Sequence, residues 1–265
     1  MKAKLHIQTA HREDRTVLKK AFFTPPFKVA NVTEDKRSNL LKLMLMSSSP
    51  GILEGDVYQI QVDVAENCAL ELQTQSYQRL FSMKLGASQQ TQIRLAANSA
   101  FCYLPHPTVP HEASRFSAIN RIDMTDSSSL IWGEVLTCGR KLNGEVFHFS
   151  RYHNLTQVWL NQRLVVKENL LVEPDRMNVQ AIGQMEGFTH QANLLYLHQQ
   201  APVSTLSNTL HDYLNQQSDV LFGVTAAPVN GLVIRLLGHR AEQLHTCLKT
   251  IANLLPQPKA VTNAA

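Results

Sequence analysis

Three stretches about thirty residues apart decide the fold: VAENCALELQTQ at residues 64–75, LAANSAFCYLP at residues 95–105 and MTDSSSLIWGEV at residues 124–135. Each joins one run of alternating apolar and polar residues to a second through a small polar turn, around Asn67, Asn98 and Ser127. This period is typical of stacked β-coils. A β-sandwich of meandering strands would give a similar trace, so the repeat favours stacked coils without excluding a sandwich.

On both sides of these repeats, apolar and polar residues alternate with a period of two, as in strands, up to about residue 200. Beyond it, the apolar residues have the spacing of a helix. Residues 202–217 and 239–255 are predicted helices, with Ser204 or Ser207 as a cap of the first. Between them, Asn230-Gly231 is the strongest short signal for a hairpin. We therefore predict a mainly β protein with a β-solenoid-like body of helically stacked β-sheets at residues 1–200. A small α+β module (βαββα), its helix-hairpin-helix at residues 201–265, packs on that body.

Composition and charge exclude several classes of protein. The chain has 265 residues, of which 44% are hydrophobic and 17% charged, enough for a sizeable core. Its net charge of +4 comes from scattered residues rather than a basic block, so we expect no nucleic-acid partner. No run is apolar enough for a membrane span or a secretory signal, and the four cysteines are far apart. A cytoplasmic protein without disulfides is expected.

No recognised catalytic motif occurs in the sequence. Nucleophile elbows, phosphate-binding loops and dinucleotide fingerprints are absent, which predicts a protein that is not an enzyme. The eleven histidines include His106 and His111 around PTVP, but none has zinc-ligand spacing, so scattered surface histidines and no closed metal site are predicted. Asp56, Glu134 and Glu145 stand out as carboxylates in strand or turn contexts; the alternative is that they are surface groups or accept hydrogen bonds within turns.

Five motifs follow one another along the chain: FFTPPFKV at residues 22–29, SPGILEGD at 49–56, LQTQSYQRL at 72–80, YLPHPTVPHEASRF at 103–116 and WGEVLTCGRKLNGEVFHFSRYHN at 132–154. In this order they resemble the urease accessory proteins of the UreD family, also called UreH. Each motif alone is weak, and the five together are specific. The residues that carry the resemblance are Pro25, Pro26, Phe27, Gly51, Gly55, Gln75, Pro105, Pro107, Gly139, Arg140 and Gly144.

The resemblance implies a maturation factor for a nickel enzyme. Such a chain binds the accessory proteins UreF and UreG, of which UreG is the GTPase, and docks them on apo-urease. It holds no tightly bound cofactor, and Ni²⁺ passes only transiently. Two copies of the accessory trio pair, as a dimer of heterotrimers. The family fold is described as helically arranged β-sheets with a small helical portion.

Within that picture, weak oxygen ligands along an internal passage would hand on a hydrated Ni²⁺ ion. The candidates are Asp56, Thr74, Ser76, Glu134 and Glu145. On a flat strand, Thr74 and Ser76 share one face and Gln75 takes the other, so Gln75 is expected outside the passage. A structural ion pair with Arg140 is an equally good interpretation of Glu145.

Partner surfaces are harder to place from sequence. Tyr152, Trp159 and Tyr213 are interpreted as exposed anchors for partners, with the C-terminal module contributing to the UreF interface. A second class of function stays open: lone carboxylates on a β-solenoid also suit a polysaccharide-binding or polysaccharide-cleaving protein. The low aromatic content, 7%, and the absence of an export signal argue against that alternative.

Overall fold

Two mixed β-sheets make up most of the structure, a computed structural model that describes residues 1–35 and 38–256. The prediction of a mainly β protein is confirmed. The seven-stranded sheet has the order β14 (Arg163–Val172), β13 (Arg151–Leu160), β11 (Arg115–Met124), β8 (Ala87–Leu95), β5 (Val57–Val64), β1 (Lys2–Arg12) and β2 (Arg15–Phe23).

The second sheet has ten strands. Its main path runs β16 (Leu221–Ala226), β17 (Gly231–Gly238), β15 (His190–His198), β12 (Ser129–Thr137), β9 (Ala100–Tyr103), β6 (Ala69–Thr74), β4 (Leu40–Ser47) and β3 (Phe27–Asn31). Two short strands complete it: β7 (Gln78–Leu80) pairs with β10 (Thr108–Pro110), which also pairs with β12. A short 3₁₀ turn covers Lys141–Asn143.

The main strands from β4 to β13 alternate between the two sheets along the chain. In the ten-stranded sheet β4, β6, β9 and β12 pair in parallel, and in the seven-stranded sheet β5, β8, β11 and β13 do the same. The three turns of the sequence repeat are neighbours in space: the side-chain amide of Asn98 donates to Asn67 Oδ1 at 3.2 Å, and its backbone N–H donates to Ser127 Oγ at 2.9 Å. Asn67 and Asn98 both have positive φ, which asparagine tolerates better than most residues.

Two apolar cores lie on the opposite faces of the ten-stranded sheet. One fills the space between the sheets, and the other lies under two helices, α1 (Val203–Leu214) and α2 (Ala241–Leu254). Strand β12 contributes side chains to both cores: Ile131 and Val135 belong to the helix-side core. Trp132 and Leu136 belong to the core between the sheets. This alternation follows from the period of two in a strand.

The C-terminal helices and hairpin occur in the predicted order. The hairpin of β16 and β17 extends the ten-stranded sheet through β15 rather than forming a separate sheet. Neither predicted cap is present, because α1 begins after Pro202 and both Ser204 and Ser207 lie within it, so that prediction was wrong. Residues 257–265 of the predicted C-terminal module lie outside the described residues.

Candidate functional site

A cavity of about 130 Å³, partly open to solvent, lies between the two sheets. Its apolar wall includes Phe27, Leu45, Ile60 and Phe116. Polar groups interrupt this wall, and none of the lining residues is a lysine or an arginine. The polar and aromatic groups are Ser47, Ser49, Tyr58, Thr74, Gln75, Ser76, Tyr77, Gln78, Gln89, Tyr103, His106, Thr108, Asn120, Trp132, Glu134, Tyr152 and Asn154.

Glu134 is the carboxylate of this cavity. It projects from β12 on the same face as Trp132, whose Nε1–H donates to Glu134 Oε1 at 2.8 Å. Asn154 Nδ2 donates to the other oxygen, Oε2, and Thr156 Oγ1 lies 3.4 Å from Oε1. Burial raises the pKa of Glu134, and these hydrogen bonds only partly oppose that shift. The site therefore favours any species that can supply positive charge to this carboxylate.

An amide network holds the partners of Glu134 in place. Asn120 Nδ2 donates to Asn154 Oδ1 at 2.9 Å and to Thr156 Oγ1 at 3.0 Å. A second cavity, of about 160 Å³, shares Glu134, Tyr152 and Asn154 with the first and reaches Arg235. Glu134 thus lies where two cavities meet.

The other face of β12 carries a glycine beside Glu134. A Cβ at Gly133 would lie 2.4 Å from Leu104 Cδ2 and 3.2 Å from Leu248 Cδ1 on α2. A side chain at this position would have to displace the ends of these two leucines. As a result, α2 lies directly behind the strand that positions Glu134.

Asp56 has a different environment from the one predicted. Its side chain is buried and is not part of the lining of the cavity. The amino group of Met1 donates to Oδ1 at 2.8 Å, the Leu53 N–H donates to Oδ2 at 2.9 Å, and the Tyr58 hydroxyl lies 3.4 Å from Oδ2. Asp56 therefore organises the turn before β5, and only Tyr58 links it to the cavity wall.

The glycines of this turn are required by the backbone. A Cβ at Gly51 would lie 2.4 Å from the Arg79 carbonyl oxygen, because the Ile52 N–H donates to that oxygen at 2.8 Å. Gly55 has a φ of +74°, a left-handed conformation that glycine adopts without strain. These glycines thus allow the turn before Asp56 to pack against β7.

Glu145 forms the ion pair that the sequence offered as an alternative. Arg140 donates to both carboxylate oxygens, through Nε at 2.9 Å and through Nη2, and the Glu112 N–H donates to Oε2 at 3.2 Å. The Arg140 guanidinium lowers the pKa of Glu145, which outweighs the effect of burial. Glu145 is not part of the cavity lining, and Gly139, with a φ of +124°, allows the turn to fold back on it.

The predicted strand through Ser76 is wrong. Strand β6 ends at Thr74, and the N–H of Gln75 donates to the Leu45 carbonyl at 3.0 Å as the chain bends. Thr74, Gln75 and Ser76 therefore all line the cavity, with Gln75 and Ser76 exposed at its mouth. Side chains alternate between two faces only along a flat strand. That rule, which placed Gln75 outside the passage, does not apply beyond Thr74.

Other motif residues support the same region. The Pro25-Pro26 bond is cis, and the Phe27 ring packs edge-on against Tyr58 with centroids 5.0 Å apart. Pro105 lines the cavity, while the carbonyl of Pro107 accepts the Gln78 N–H at 3.0 Å.

The three aromatic residues interpreted as exposed anchors differ in burial. Tyr152 is only 5% exposed and lines the cavity, so its description as exposed was wrong. Trp159 is half-buried under the Arg121 guanidinium, whose carbon lies 4.5 Å from the ring centroid. Tyr213 is half-buried against the helix-side core.

Sequence analysis missed the amides of the site. Asn120 and Asn154 are buried inward-facing residues of β11 and β13, at positions where the alternation predicts apolar side chains. A polar residue on the buried face of a strand is a signal that would have found them.

Residues 1–35 and 38–256, the part of the chain that the structure describes, lack two further features. No group of three or more histidine, cysteine, aspartate or glutamate side chains there could hold a metal ion. Within the same residues, no helix has the length and apolar character needed to cross a membrane.

Comparison with known proteins identifies the family. The family profile described as UreD urease accessory protein matches residues 1–265. The urease accessory protein UreD of Flavobacterium johnsoniae is 47% identical over 253 residues, covering 95% of this chain and 91% of the relative. The proteins of the same name from Haemophilus influenzae and Acetivibrio thermocellus are 37% and 34% identical; each match covers 96% of this chain, and 99% and 97% of those relatives respectively. These matches give no support to the polysaccharide alternative. The chain belongs to the UreD family of urease accessory proteins.

Proposed function

We propose that this chain is a non-enzymatic scaffold of urease maturation that gives Ni²⁺ a path toward apo-urease. Membership of the UreD family implies a role in urease maturation together with urease and other accessory proteins. The observation that carries the nickel proposal is the cavity between the sheets. It contains a carboxylate and many neutral oxygen donors, and no lysine or arginine among its lining residues.

The donor set fits transit rather than storage. Hydroxyl and amide oxygens are weak ligands for Ni²⁺, and a single carboxylate cannot complete a closed site. We assign Thr74 and Ser76 to the mouth and Glu134 to the inner end, where the second cavity begins. Asp56 and Glu145 then have structural roles, as parts of the turns that shape the scaffold.

The alternation of strands between the two sheets supports a description of the body as helically stacked β-coils. In that description the C-terminal helices and hairpin close one face of the stack. Two exposed apolar side chains of this region, Leu221 and Leu254, support a partner surface, which we assign to UreF. UreG joins through this complex, two such trios pair, and the assembly works in the cytoplasm, where four free cysteines stay reduced.

The nickel proposal is tested by in vitro activation of apo-urease with UreF, UreG, GTP, bicarbonate and Ni²⁺. Glu134→Gln keeps the shape of the side chain but removes its charge. We expect activation to fall about tenfold, the scale of losing a metal-orienting group. The matched control is Glu66→Gln, at an exposed turn. Equal activation by wild type and Glu134→Gln contradicts the proposal.

The partner surface is tested separately. Leu221→Asp and Leu254→Asp should reduce capture of UreF with little change in the melting temperature, because the two residues are 48% and 40% exposed. Leu85→Asp, at an 89% exposed position, is the control. Full capture by both of the first two variants contradicts the assignment to UreF.

A further inference from the structure

Two histidine rings meet beside the mouth of the cavity. His106, in the loop between β9 and β10, is one of the lining residues, and His245 lies on α2. Their ring centroids are 4.8 Å apart, and the ring planes are tilted by 43°. The sequence predicted scattered surface histidines, so this pairing of a loop with a distant helix is new information from the fold.

His245 has an unexplained nitrogen. The residue is 1% exposed, and its Nε2 atom has no hydrogen-bond partner. The ring of His245 also forms a hydrogen bond with the backbone carbonyl of Leu104. This bond must involve Nδ1, because Nε2 has no hydrogen-bond partner. Burial lowers the pKa of His245 to about 4, so the ring is neutral near pH 7 and Nε2 carries a lone pair. A buried polar atom of this kind calls for a ligand or another explanation.

His106 is held in a similar way. Its Nδ1 lies 3.1 Å from Thr74 Oγ1, which also accepts the backbone N–H of His106 at 2.8 Å. Burial lowers the pKa of this ring as well, so it is neutral near pH 7. In the tautomer in which Nδ1–H donates to Thr74 Oγ1, this bond has the usual arrangement of a metal-binding histidine, because it orients the other nitrogen.

The distance between the rings fits a shared ion. Two imidazoles bound through Nε2 to one cation, with metal–nitrogen bonds of about 2.0–2.1 Å and neighbouring coordination positions, have centroids roughly 4.5 to 5 Å apart. The observed 4.8 Å lies in that interval. Imidazole nitrogen suits Ni²⁺, Cu²⁺ and Zn²⁺ better than it suits Mg²⁺ or Ca²⁺.

We propose that His106 and His245 bind one divalent transition-metal ion through their Nε2 atoms, with water in the remaining coordination positions. The inference extends the proposed function, because the site would receive Ni²⁺ at the edge of the cavity before Glu134. Two protein ligands make the site exchangeable, as transit requires. Two charges of the same helix act on the rings in opposite directions: Lys249 opposes a cation, and Glu242, the smaller influence, favours one.

The test uses the full chain without an affinity tag. Ni²⁺ binding is measured by calorimetry, and Cu²⁺ is added as a probe whose electron paramagnetic resonance spectrum reports coordinated nitrogens. We expect one ion with two imidazole nitrogens in the wild type. His106→Phe and His245→Phe each keep a flat ring, and each should weaken Ni²⁺ binding at least about tenfold. The matched control is His198→Phe, since His198 also has a buried unpartnered nitrogen but stacks on Tyr196 rather than on a histidine.

Melting curves show which variants are folded. If His245→Phe is unfolded, the test relies on His106→Phe and His106→Asn, because His106 is only half-buried and its variants should fold. Wild-type affinity in the folded His106 variants, or a wild-type Cu²⁺ spectrum without two nitrogens, overturns the inference. These readouts are independent of urease: a Glu134→Gln variant that activates fully rejects the passage proposal, whereas the histidine site stands or falls by metal binding alone.

Discussion

Glu134 and Glu145 are hydrogen-bonded carboxylates only eleven positions apart in the chain, but the charges around them differ. Glu145 has a cation beside it, Arg140, and a backbone N–H from Glu112. Glu134 receives hydrogen bonds from neutral groups, and no lysine or arginine lines the cavity that it shares with Thr74 and Ser76. The pKa of Glu145 is accordingly lowered, and that of Glu134 is raised.

We interpret this difference in surroundings as a difference in role: Glu145 contributes to stability, and Glu134 to function. A carboxylate that is paired within its own turn fixes the backbone and has little attraction left for an ion. A carboxylate kept in a cavity without a paired cation costs folding free energy, and such a carboxylate is a candidate for binding a ligand. Changes at the turn should therefore reduce stability, and changes at Glu134 should reduce nickel delivery.

The largest expected effect is at the backbone of the Glu145 turn. Gly139→Ala places a Cβ 2.9 Å from the Glu145 carbonyl oxygen and 3.0 Å from that of Pro110, at a φ of +124°. We expect the free energy of unfolding to fall by about 2 to 3 kcal/mol, measured by denaturant titration. Gly144→Ala is the matched control: its φ of +83° is also positive, but nothing lies within 4 Å, so about 1 kcal/mol is expected. Equal losses in the two variants would show that the close contacts are unimportant.

The next effect concerns the Glu145 side chain. Glu145→Gln weakens the charged hydrogen bonds from Arg140 and should lower the free energy of unfolding by about 1 to 2 kcal/mol. Activation of apo-urease should fall only as far as the folded fraction does. Glu13→Gln, in an exposed pair with Arg15, is the control and should change stability by less than about 0.5 kcal/mol. Unchanged melting together with lost activation rejects the structural role.

A smaller stability effect is expected at Glu134. Glu134→Gln retains the volume and most of the acceptor geometry toward Trp132 and Thr156, so the free energy of unfolding at pH 7 should stay within about 1 kcal/mol of the wild type. Activation should still decrease, in the assay described above. A loss of stability as large as that of Glu145→Gln would remove the contrast between the two carboxylates.

The smallest effect is in the pH dependence of stability, and the two carboxylates give it opposite signs. The lowered pKa of Glu145 contributes stability that is present above the unfolded value, near 4.5, and is lost as the pH falls through the folded pKa. The raised pKa of Glu134 does the reverse: stability decreases as the pH rises from about 4.5 to the folded pKa. Melting temperatures across pH 3 to about 8 should lose the acid-side slope in Glu145→Gln and the higher-pH slope in Glu134→Gln. Parallel profiles for wild type and both variants would contradict these directions.

Local pattern in the sequence predicted much of the fold. Alternation predicted most of the strands, and Asn230-Gly231 predicted the hairpin of β16 and β17, because both signals depend on neighbouring residues. The end of β6 was missed because it depends on a distant strand: the N–H of Gln75 bonds to Leu45 of β4. Strand length is set by such partners rather than by propensity.

Less of the candidate site than of the fold could be predicted from the sequence. Glu134 was found because it is a carboxylate in a strand context rather than on a charged face. The environment of Asp56 includes Met1, and His106 meets His245 only after the chain has crossed both sheets. Contacts between residues so far apart carry no local signal, and no spacing rule could have predicted them.

Gly133 lets one strand separate a tightly packed side of the ten-stranded sheet from an open one. On the helix side, Leu104 and Leu248 of α2 occupy the space in which a side chain at this position would begin. On the opposite side, the neighbouring Glu134 faces the cavity. A side chain at position 133 would therefore disturb the packing under the helices without pointing into the cavity.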